Sequence, residues 1–140
     1  MREDVRRALA IDDASTIEDR TIDITTVGRR TGAPRRIEIV FYRLGDDFYL
    51  SGIPAPTTRH WLANLTAHPQ FTFHLKQGVV ADLPATATVI VDPAERRRVL
   101  AVFVDQFNQR RGTDSEWPEA VLDEWVAQSP LAKITFSEDD

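Results

Sequence analysis

Apolar residues recur at every second position in several short segments of this chain, and this alternation constrains the fold more than any other feature. Ile22 and Ile24 alternate with polar neighbours before a glycine-containing turn, and Ile37, Ile39 and Phe41 share one face of the segment after it. Successive side chains of a β-strand point to opposite faces, so the pattern predicts strands with one buried face. Helical periodicity is confined to shorter stretches between these segments. The sequence therefore predicts a mainly β fold with peripheral helices.

About six strands are predicted. They span residues 21–27, 37–42, 48–51, 71–76, 79–91 and 131–136. A turn signal at residues 44–47 joins the second and third strands as a hairpin. Pro84 has no backbone N–H, so the fifth strand is expected to be interrupted there and to lie at a sheet edge or a bulge. His74 is expected on the outward face of the fourth strand.

Helices are expected where apolar residues recur at helical spacing. They are predicted at residues 58–68, from residue 92 onward, at residues 121–129 and within the first dozen residues. Trp61 and Leu65 share one face of the first of these, with residues 57 and 58 as cap candidates. Asp92 followed by Pro93 is a start signal for the next helix, and the three arginines at residues 96–98 are expected on its solvated face.

Composition limits the classes of protein. The 140 residues are expected to form a single domain over residues 1–140, since this is near the usual domain size. No cysteine is present, which excludes disulfides, thiol catalysis and cysteine-ligated metals. The charged start of the chain lacks the apolar segment of a signal peptide, and no membrane span is recognised, so the expected location is the cytoplasm.

The net charge of −5 argues against a nucleic-acid partner, which normally selects a basic surface. A short positive segment nevertheless stands out. Residues 28–36 read GRRTGAPRR, and no acidic residue interrupts the run from residue 24 to residue 37. Turn amides and fixed guanidinium groups together favour a small anionic ligand such as a phosphate or a polycarboxylate. We call residues 28–36 the arginine turn.

Two ordered motifs carry a resemblance to a known family. Residues 25–35 read TTVGRRTGAPR, and residues 61–69 read WLANLTAHP. In this order and spacing they resemble the deazaflavin (F420)-dependent nitroreductase and quinone reductase family of actinobacterial proteins, within the split β-barrel flavin-binding superfamily. The similarity runs over residues 21–91, about half of the chain.

The resemblance implies a split β-barrel that binds coenzyme F420. The phosphate and glutamate tail of the cofactor would lie near the arginine turn, and its deazaflavin ring would lie against the predicted helix at residues 58–68, which carries Trp61 and which we call the tryptophan helix. The resemblance further implies hydride transfer from reduced F420 to a quinone, a nitroaromatic or another activated small-molecule acceptor. FMN is the alternative cofactor, because the wider fold accepts either. A non-catalytic barrel that binds F420, a tetrapyrrole or a lipid is the alternative function. Split barrels often pair through a sheet face, so a homodimer is an alternative to a monomer.

Carried over position by position, the resemblance implies cofactor contacts from three places. The implied cofactor-binding residues are Arg29, Arg30, Thr31, Gly32, Arg35, Ser51, Gly52, Ile53, His60, Trp61 and Asn64. Arginine suits the anionic end of a cofactor because its planar fork donates two parallel hydrogen bonds and keeps its charge. Gly28 and Gly32 are expected to adopt the positive φ angles of a tight turn.

The segment before the tryptophan helix departs from the family. Many relatives carry a lysine and paired glycines there, whereas this chain reads IPAPTTR at residues 53–59. Arg59 is the candidate to replace the lysine charge, and Thr57, Thr58 and the start of the helix could supply hydroxyls and amides to an anion. The resemblance does not extend to the carboxy-terminal third, including the segment from residue 110 to residue 118.

No catalytic residue is assigned, because a deazaflavin carries the hydride and the protein mainly has to position donor and acceptor. Tyr42, Tyr49 and His60 are the candidate proton donors. His60, Asn64 and His68 recur on one helix face, but no nearby Asp or Glu completes a ligand set. No metal is therefore expected.

Overall fold

The computed structural model describes residues 1–111 and 118–137. Within them the strands are β1 (Thr21–Val27), β2 (Pro34–Leu44), β3 (Asp47–Ser51), β4 (Gln70–Leu75), β5 (Ala81–Val89) and β6 (Leu131–Phe136). The helices are α1 (Glu3–Leu9), α2 (Ile17–Arg20), α3 (His60–Ala67), α4 (Pro93–Arg111) and α5 (Leu122–Gln128). None of the described helices is long and apolar enough to cross a bilayer. Gly112 and Trp117, which belong to the carboxy-terminal segment discussed above, lie outside the described residues.

The strands close into an antiparallel barrel in the order β1-β2-β3-β6-β5-β4. β1 pairs with both β2 and β4, and β6 lies between β3 and β5, so the strand nearest the carboxy terminus completes the wall. Each described strand is thereby paired on both sides, which removes the exposed edges of an open sheet. The prediction of a mainly β, six-stranded barrel with peripheral helices is confirmed.

The barrel interior is filled by the alternating apolar residues that the sequence singled out. Ile24 lies opposite Ile37 on β2 and opposite Phe73 on β4. Phe73 is fully buried, and its ring meets the edges of Phe41 and Phe136 at centroid distances of 5.2 and 5.1 Å. Burying a side chain of this size contributes about 1.5–3 kcal/mol, so the aromatic cluster is a main source of barrel stability.

A second apolar core lies between the outside of the barrel and helices α4 and α5. Tyr49 and Trp125 are buried in it, and the ring of Tyr42 stacks on Phe103 at 4.5 Å. Burial raises the pKa of the Tyr42 hydroxyl. The start of α4 agrees with its sequence signal, because Asp92 Oδ2 accepts the backbone N–H of Glu95 at 2.9 Å.

The structure differs from the sequence-based expectations at two helices. Helix α2 has no apolar period and was not predicted, although Thr16 and Asp19 form a reciprocal capping box at its start. Helix α3 begins at His60 with Arg59 as its N-cap, and it has no side-chain cap. Residues 57 and 58 therefore precede the helix and do not cap it.

Arg96 is not on the solvated face that was predicted for residues 96–98. It is partly buried and donates to the carbonyl oxygens of Ile90 at 3.1 Å, Val126 at 2.9 Å and Ser129 at 2.6 Å. Burial lowers the pKa of its guanidinium group. Arg96 thus ties the carboxyl end of α5 to α4, whereas Arg97 and Arg98 are exposed.

The sequence predicted that Pro84 would interrupt the fifth strand at a sheet edge or a bulge, but β5 continues through it. Pro84 pairs with Thr72 of β4, and the register with β6 ends one residue later, at Ala85 opposite Phe136. The carbonyl of Pro84 accepts the N–H of Ser137 at 3.0 Å. The proline therefore stands at the end of one ladder, where its missing N–H removes no bond between the described strands.

The outer face of the barrel carries a charged cluster across β1, β2 and β4. Lys76 Nζ lies 2.7 Å from Asp23 Oδ1 and also contacts the carboxylate of Glu38. Arg36 Nε lies 2.9 Å from Asp23 Oδ2. Hydrogen bonding from Lys76, helped by Arg36, lowers the pKa of the Asp23 carboxyl below its ordinary value of 3.8. Asp23 is therefore the residue on which this cluster depends.

His74 lies on the outer face as predicted, but only 7% of it is exposed. Its Nε2 is 2.7 Å from Thr25 Oγ1, and its Nδ1 is 2.7 Å from Asp82 Oδ1. This hydrogen bond lowers the pKa of the Asp82 carboxyl. The hydrogen-bonded series Thr25–His74–Asp82 resembles the nucleophile, base and carboxylate of a catalytic triad. Thr25, however, is paired with β2 on one side and with β4 on the other. The backbone N–H groups around it therefore bond to neighbouring strands and are not available to stabilise an oxyanion. We assign the chain of bonds to strand cohesion.

We expect Asp23→Asn to weaken the dependence of stability on acidic pH. Because the pKa of Asp23 is lowered in the folded state, its contribution is present above pH 3.8 and is lost as the pH falls through the folded value. Urea unfolding at neutral and acidic pH should therefore show that acidification lowers the free energy of unfolding less for the variant than for the original chain. Glu124→Gln, at an exposed position of α5, is the matched control and should leave the pH dependence unchanged. Equal pH dependence for Asp23→Asn and the original chain would contradict the assignment.

Candidate functional site

The arginine turn is closed by hydrogen bonds among its own residues. The Gly28 N–H donates to the Ala33 carbonyl and the Gly32 N–H donates to the Gly28 carbonyl, both at 2.8 Å. The Ala33 N–H donates to Thr31 Oγ1 at 3.1 Å. Gly32 has the predicted positive φ, at 73°. Gly28 does not, and the reason for a glycine there is steric: a Cβ would lie 3.0 Å from the Ala33 carbonyl oxygen.

The four arginines of the turn have different surroundings. Arg35 and Arg36 are consecutive in β2, so their side chains leave opposite faces of the strand. Arg36 forms an ion pair with Asp23 on the outer face of the barrel. Arg30 and Arg35 are exposed and have no hydrogen-bond or ion-pair partner among the described residues. Two of the four guanidinium groups are thus available to an anion.

Arg29 is fixed by Asn64, which joins the turn to β1 and α3. Asn64 Oδ1 accepts both the backbone N–H and the Nη1 of Arg29, each at 3.1 Å. Its Nδ2 donates to Thr26 Oγ1 at 3.1 Å. Asn64 and Thr26 are 4% and 1% exposed, so these bonds are shielded from water. We call Arg29, Asn64 and Thr26 the Asn64 junction.

His60 extends this arrangement toward solvent. Its Nδ1 lies 3.3 Å from Nη2 of Arg29. A guanidinium group only donates hydrogen bonds, so Nδ1 acts as the acceptor and the ring proton is on Nε2. The exposed imidazole can therefore offer an Nε2–H to a bound molecule.

A groove of about 420 Å³ runs between the arginine turn and α3. It is lined by Thr26, Gly28, Arg29, Arg30, Thr31, Arg35, Ile37, His60, Trp61 and Asn64. Within residues 1–111 and 118–137, no acidic side chain lines it, whereas three arginines do. Trp61 and Ile37 supply apolar surface beside these cations. We call it the arginine groove, and it suits a molecule with an anionic group and a flat apolar part.

The arginine groove brings together most of the predicted site residues from the arginine turn and α3. Gly32 belongs to the turn but not to the groove lining. Ser51, Gly52 and Ile53 do not line it either. The Ser51 hydroxyl donates to the Pro130 carbonyl at 2.7 Å, and the Ile53 carbonyl accepts from Arg59 at 3.1 Å.

Arg59 also lies away from the arginine groove. It lines a second groove with residues 57 and 58, so it adds no charge to the lining of the arginine groove. The three candidate proton donors also lie in different parts of the structure. Tyr42 and Tyr49 belong to the core beneath α4, and only His60 lines the arginine groove.

Three residues of the groove were missing from the sequence-derived set. Thr26, Gly28 and Ile37 all line it. Thr26 is opposite Arg35 in the β1–β2 register, and Ile37 shares its face with Arg35. Strand alternation on either side of the turn was the signal that would have identified Thr26 and Ile37.

Comparison with known proteins gives a family and a fold. The family model described as F420H(2)-dependent quinone reductase matches residues 4–124. No curated protein matches the chain. Among solved structures, an FMN-binding protein related to pyridoxamine 5'-phosphate oxidase, from Nostoc punctiforme, aligns with a TM-score of 0.66 and 14% identity, over 96% of this chain and 80% of that chain.

Two further structures have the same fold. A conserved hypothetical protein from Mycobacterium tuberculosis aligns with a TM-score of 0.61 and 19% identity, over 99% of this chain and 82% of that chain. An F420-H2 dependent reductase aligns with a TM-score of 0.53 and 15% identity, over 83% of this chain and 94% of that chain. These identities support the split-barrel fold, and the family match extends over most of the chain. The chain therefore belongs to the F420H(2)-dependent quinone reductase family.

Proposed function

We propose that this protein binds F420 in the arginine groove and acts as an oxidoreductase that passes hydride from reduced F420 to a quinone, a nitroaromatic or another activated acceptor. The observation that carries the proposal is a pair of arginines, Arg30 and Arg35, that have no partner among the described residues and line a groove whose described lining includes no acidic side chain. The family match is consistent with it. When bound, the deazaflavin supplies the hydride.

The cationic end of the groove fits a phosphate. Arg30 and Arg35 have no described partner to give up, so binding an anion breaks no ion pair between described groups. Their exposure means that they are hydrated before binding, and the affinity they provide should fall as salt rises. Arg29 is already held by Asn64 and adds positive charge rather than a free fork.

The apolar part of the groove fits a ring system. Trp61 is 9% exposed, so most of its indole packs into the barrel core and its position is fixed. Ile37 is 36% exposed on the opposite wall. A planar ring placed between them would be shielded from water, and the exposed His60 could donate its Nε2 proton to a nearby acceptor atom.

The arginine groove offers fewer cations to the cofactor than the family pattern implies. Arg59 lines another groove, and no lysine lines the arginine groove. The anionic group of the ligand is therefore expected to depend on Arg30 and Arg35. FMN is the alternative cofactor, since its phosphate would meet the same two arginines and one structural neighbour is described as FMN-binding.

The proposal is tested by adding F420 and FMN separately to the purified chain and following fluorescence quenching. Reduced F420 is then supplied with menadione or a nitroaromatic, and its consumption is measured. Saturable F420 binding with turnover supports the proposal. Binding without turnover supports a non-catalytic carrier, and preferential FMN binding supports the alternative cofactor. The absence of binding by either cofactor would contradict both assignments.

We expect the double variant Arg30→Ala with Arg35→Ala to bind F420 about a hundredfold more weakly at low salt. This follows if each arginine contributes one charge-assisted hydrogen bond. The difference should shrink as salt rises, because the lost interaction is ionic. Arg97→Ala with Arg98→Ala is the control, since it removes two exposed arginines from α4 and should leave F420 binding unchanged. An unchanged affinity in the first double variant would refute the arginine grip.

We expect Asn64→Ala to lose about 1–3 kcal/mol of unfolding free energy, because the Arg29 N–H and the Thr26 hydroxyl lose a buried partner. Its F420 affinity should also fall, since the arginine turn is released from α3.

Asn64→Asp is the matched variant for that experiment. Its carboxylate can still accept from Arg29 and from the Thr26 hydroxyl, so chemical unfolding should show stability close to that of the original chain. The added negative charge beside Arg29, in the lining of the arginine groove, should still weaken F420 binding. Equal loss of stability in the alanine and aspartate variants, or none in either, would contradict the Asn64 junction.

A further inference from the structure

A second groove lies on the opposite face of α3 from the arginine groove. His60 and Asn64, four residues apart, line the arginine groove, whereas Leu62 and Thr66, also four apart, line the second groove. With 3.6 residues per turn, these two pairs lie on nearly opposite sides of the helix. The second groove has a volume of about 580 Å³ and shares no lining residue with the first.

Two polar groups at the second groove are buried without a hydrogen-bond partner among the described residues. Ser129, which lines it, is 3% exposed, and its Oγ has no partner. Arg59, also in the lining, has a buried Nε without a partner, and the one described hydrogen bond of its side chain is from Nη2 to the Ile53 carbonyl. Buried polar groups are normally satisfied, so two orphans in one groove point to a missing partner.

The amino terminus of α3 supplies further donors at the same place. Arg59 is its N-cap, no side chain caps the helix, and residues 57–59 line the second groove. The first backbone N–H groups of a helix have no intrahelical acceptor, and together with the helix dipole they favour negative charge. The orphan groups and the uncapped helix end are independent observations that favour the same kind of ligand.

The charges around the second groove also favour an anionic ligand. Among the described residues that line it there is no acidic side chain, and the two cations are Arg59 and Arg96. Arg96 donates to carbonyl oxygens around the end of α5, so its charge contributes to the field while its donors are largely occupied. Leu62, Ile90 and Pro130 add apolar surface to the lining.

We propose that the second groove binds a small molecule that carries a carboxylate or a phosphate on a compact apolar body. Arg59 and the first amides of α3 hold the anionic group, and the Ser129 hydroxyl donates to it. The apolar body contacts the walls formed by Leu62, Ile90 and Pro130. This site is separate from the arginine groove and does not depend on the identity of the cofactor there.

Titration of the full chain followed by amide NMR tests the proposal, with inorganic phosphate and benzoate as probes and benzamide as the neutral match for benzoate. Benzoate should shift the signals of Arg59, Leu62, Thr66 and Ser129, which line only the second groove, saturably, while benzamide should not. Saturation by phosphate alone would identify a phosphate site, and saturation by benzoate alone would identify a carboxylate site with an apolar body. Failure of both probes to shift these signals, or equal binding of benzoate and benzamide, would overturn the proposal.

Variants separate binding from folding. Arg59→Gln should weaken binding of the active probe about tenfold, the loss of one charge-assisted hydrogen bond. Arg98→Gln, which removes the same charge from an exposed position of α4, should bind as the original chain does. Ser129→Ala removes an unpartnered buried hydroxyl, so it should weaken binding without lowering stability. Unchanged binding in both Arg59→Gln and Ser129→Ala would refute the site.

Competition distinguishes the two grooves. At a concentration of F420 that saturates the arginine groove, the probe should still shift the signals of the second groove. Abolition of probe binding by F420 would show that both grooves form one cofactor site, and would overturn a separate anion site. Should F420 fail to bind at all, the probe titration still decides the proposal by itself.

Discussion

The arrangement of the candidate site depends on one buried amide. Asn64 accepts the backbone and the guanidinium group of Arg29 and donates to Thr26, so a single side chain joins a turn, a strand and a helix. A loop rich in arginine would otherwise sample many conformations, because long charged side chains and glycine both carry high conformational entropy. With Arg29 fixed, the turn keeps a constant position relative to Trp61, and the groove between them exists before a ligand arrives.

Strand alternation then divides the positive charge of the turn. Arg36 leaves the outer face of β2 and joins Asp23 and Lys76 in a cluster that holds the strands together, whereas Arg35 leaves the face that carries Ile37. Adjacent residues of the same type therefore have different tasks. The acidic protein surface and the positive groove are compatible, because carboxylates such as Asp23 and Glu38 are on the other side of the barrel wall.

Much of this fold was predictable from sequence, because alternation and cap signals act locally. The inward positions of Ile22 and Ile24 and the start of α4 at Asp92 follow from such patterns. The pairing of β1 with β4 and the continuation of β5 through Pro84 did not, since pairing between distant strands leaves no short-range signal. At the site, the arginine turn and α3 were identified by their motifs. The position of Arg59 outside the arginine groove was not predicted, because residues adjacent in sequence at the start of a helix point in different directions and reach different grooves.

The central claim is that the arginine groove grips an anionic group of its cofactor. The most direct test compares the affinity of the full chain for F420 with its affinity for the same deazaflavin lacking the phosphate and glutamate tail, at low and at high salt. The account predicts that the truncated deazaflavin binds at least about tenfold more weakly at low salt, and that the difference narrows as salt rises. Equal affinity for the two compounds at both salt concentrations would contradict it.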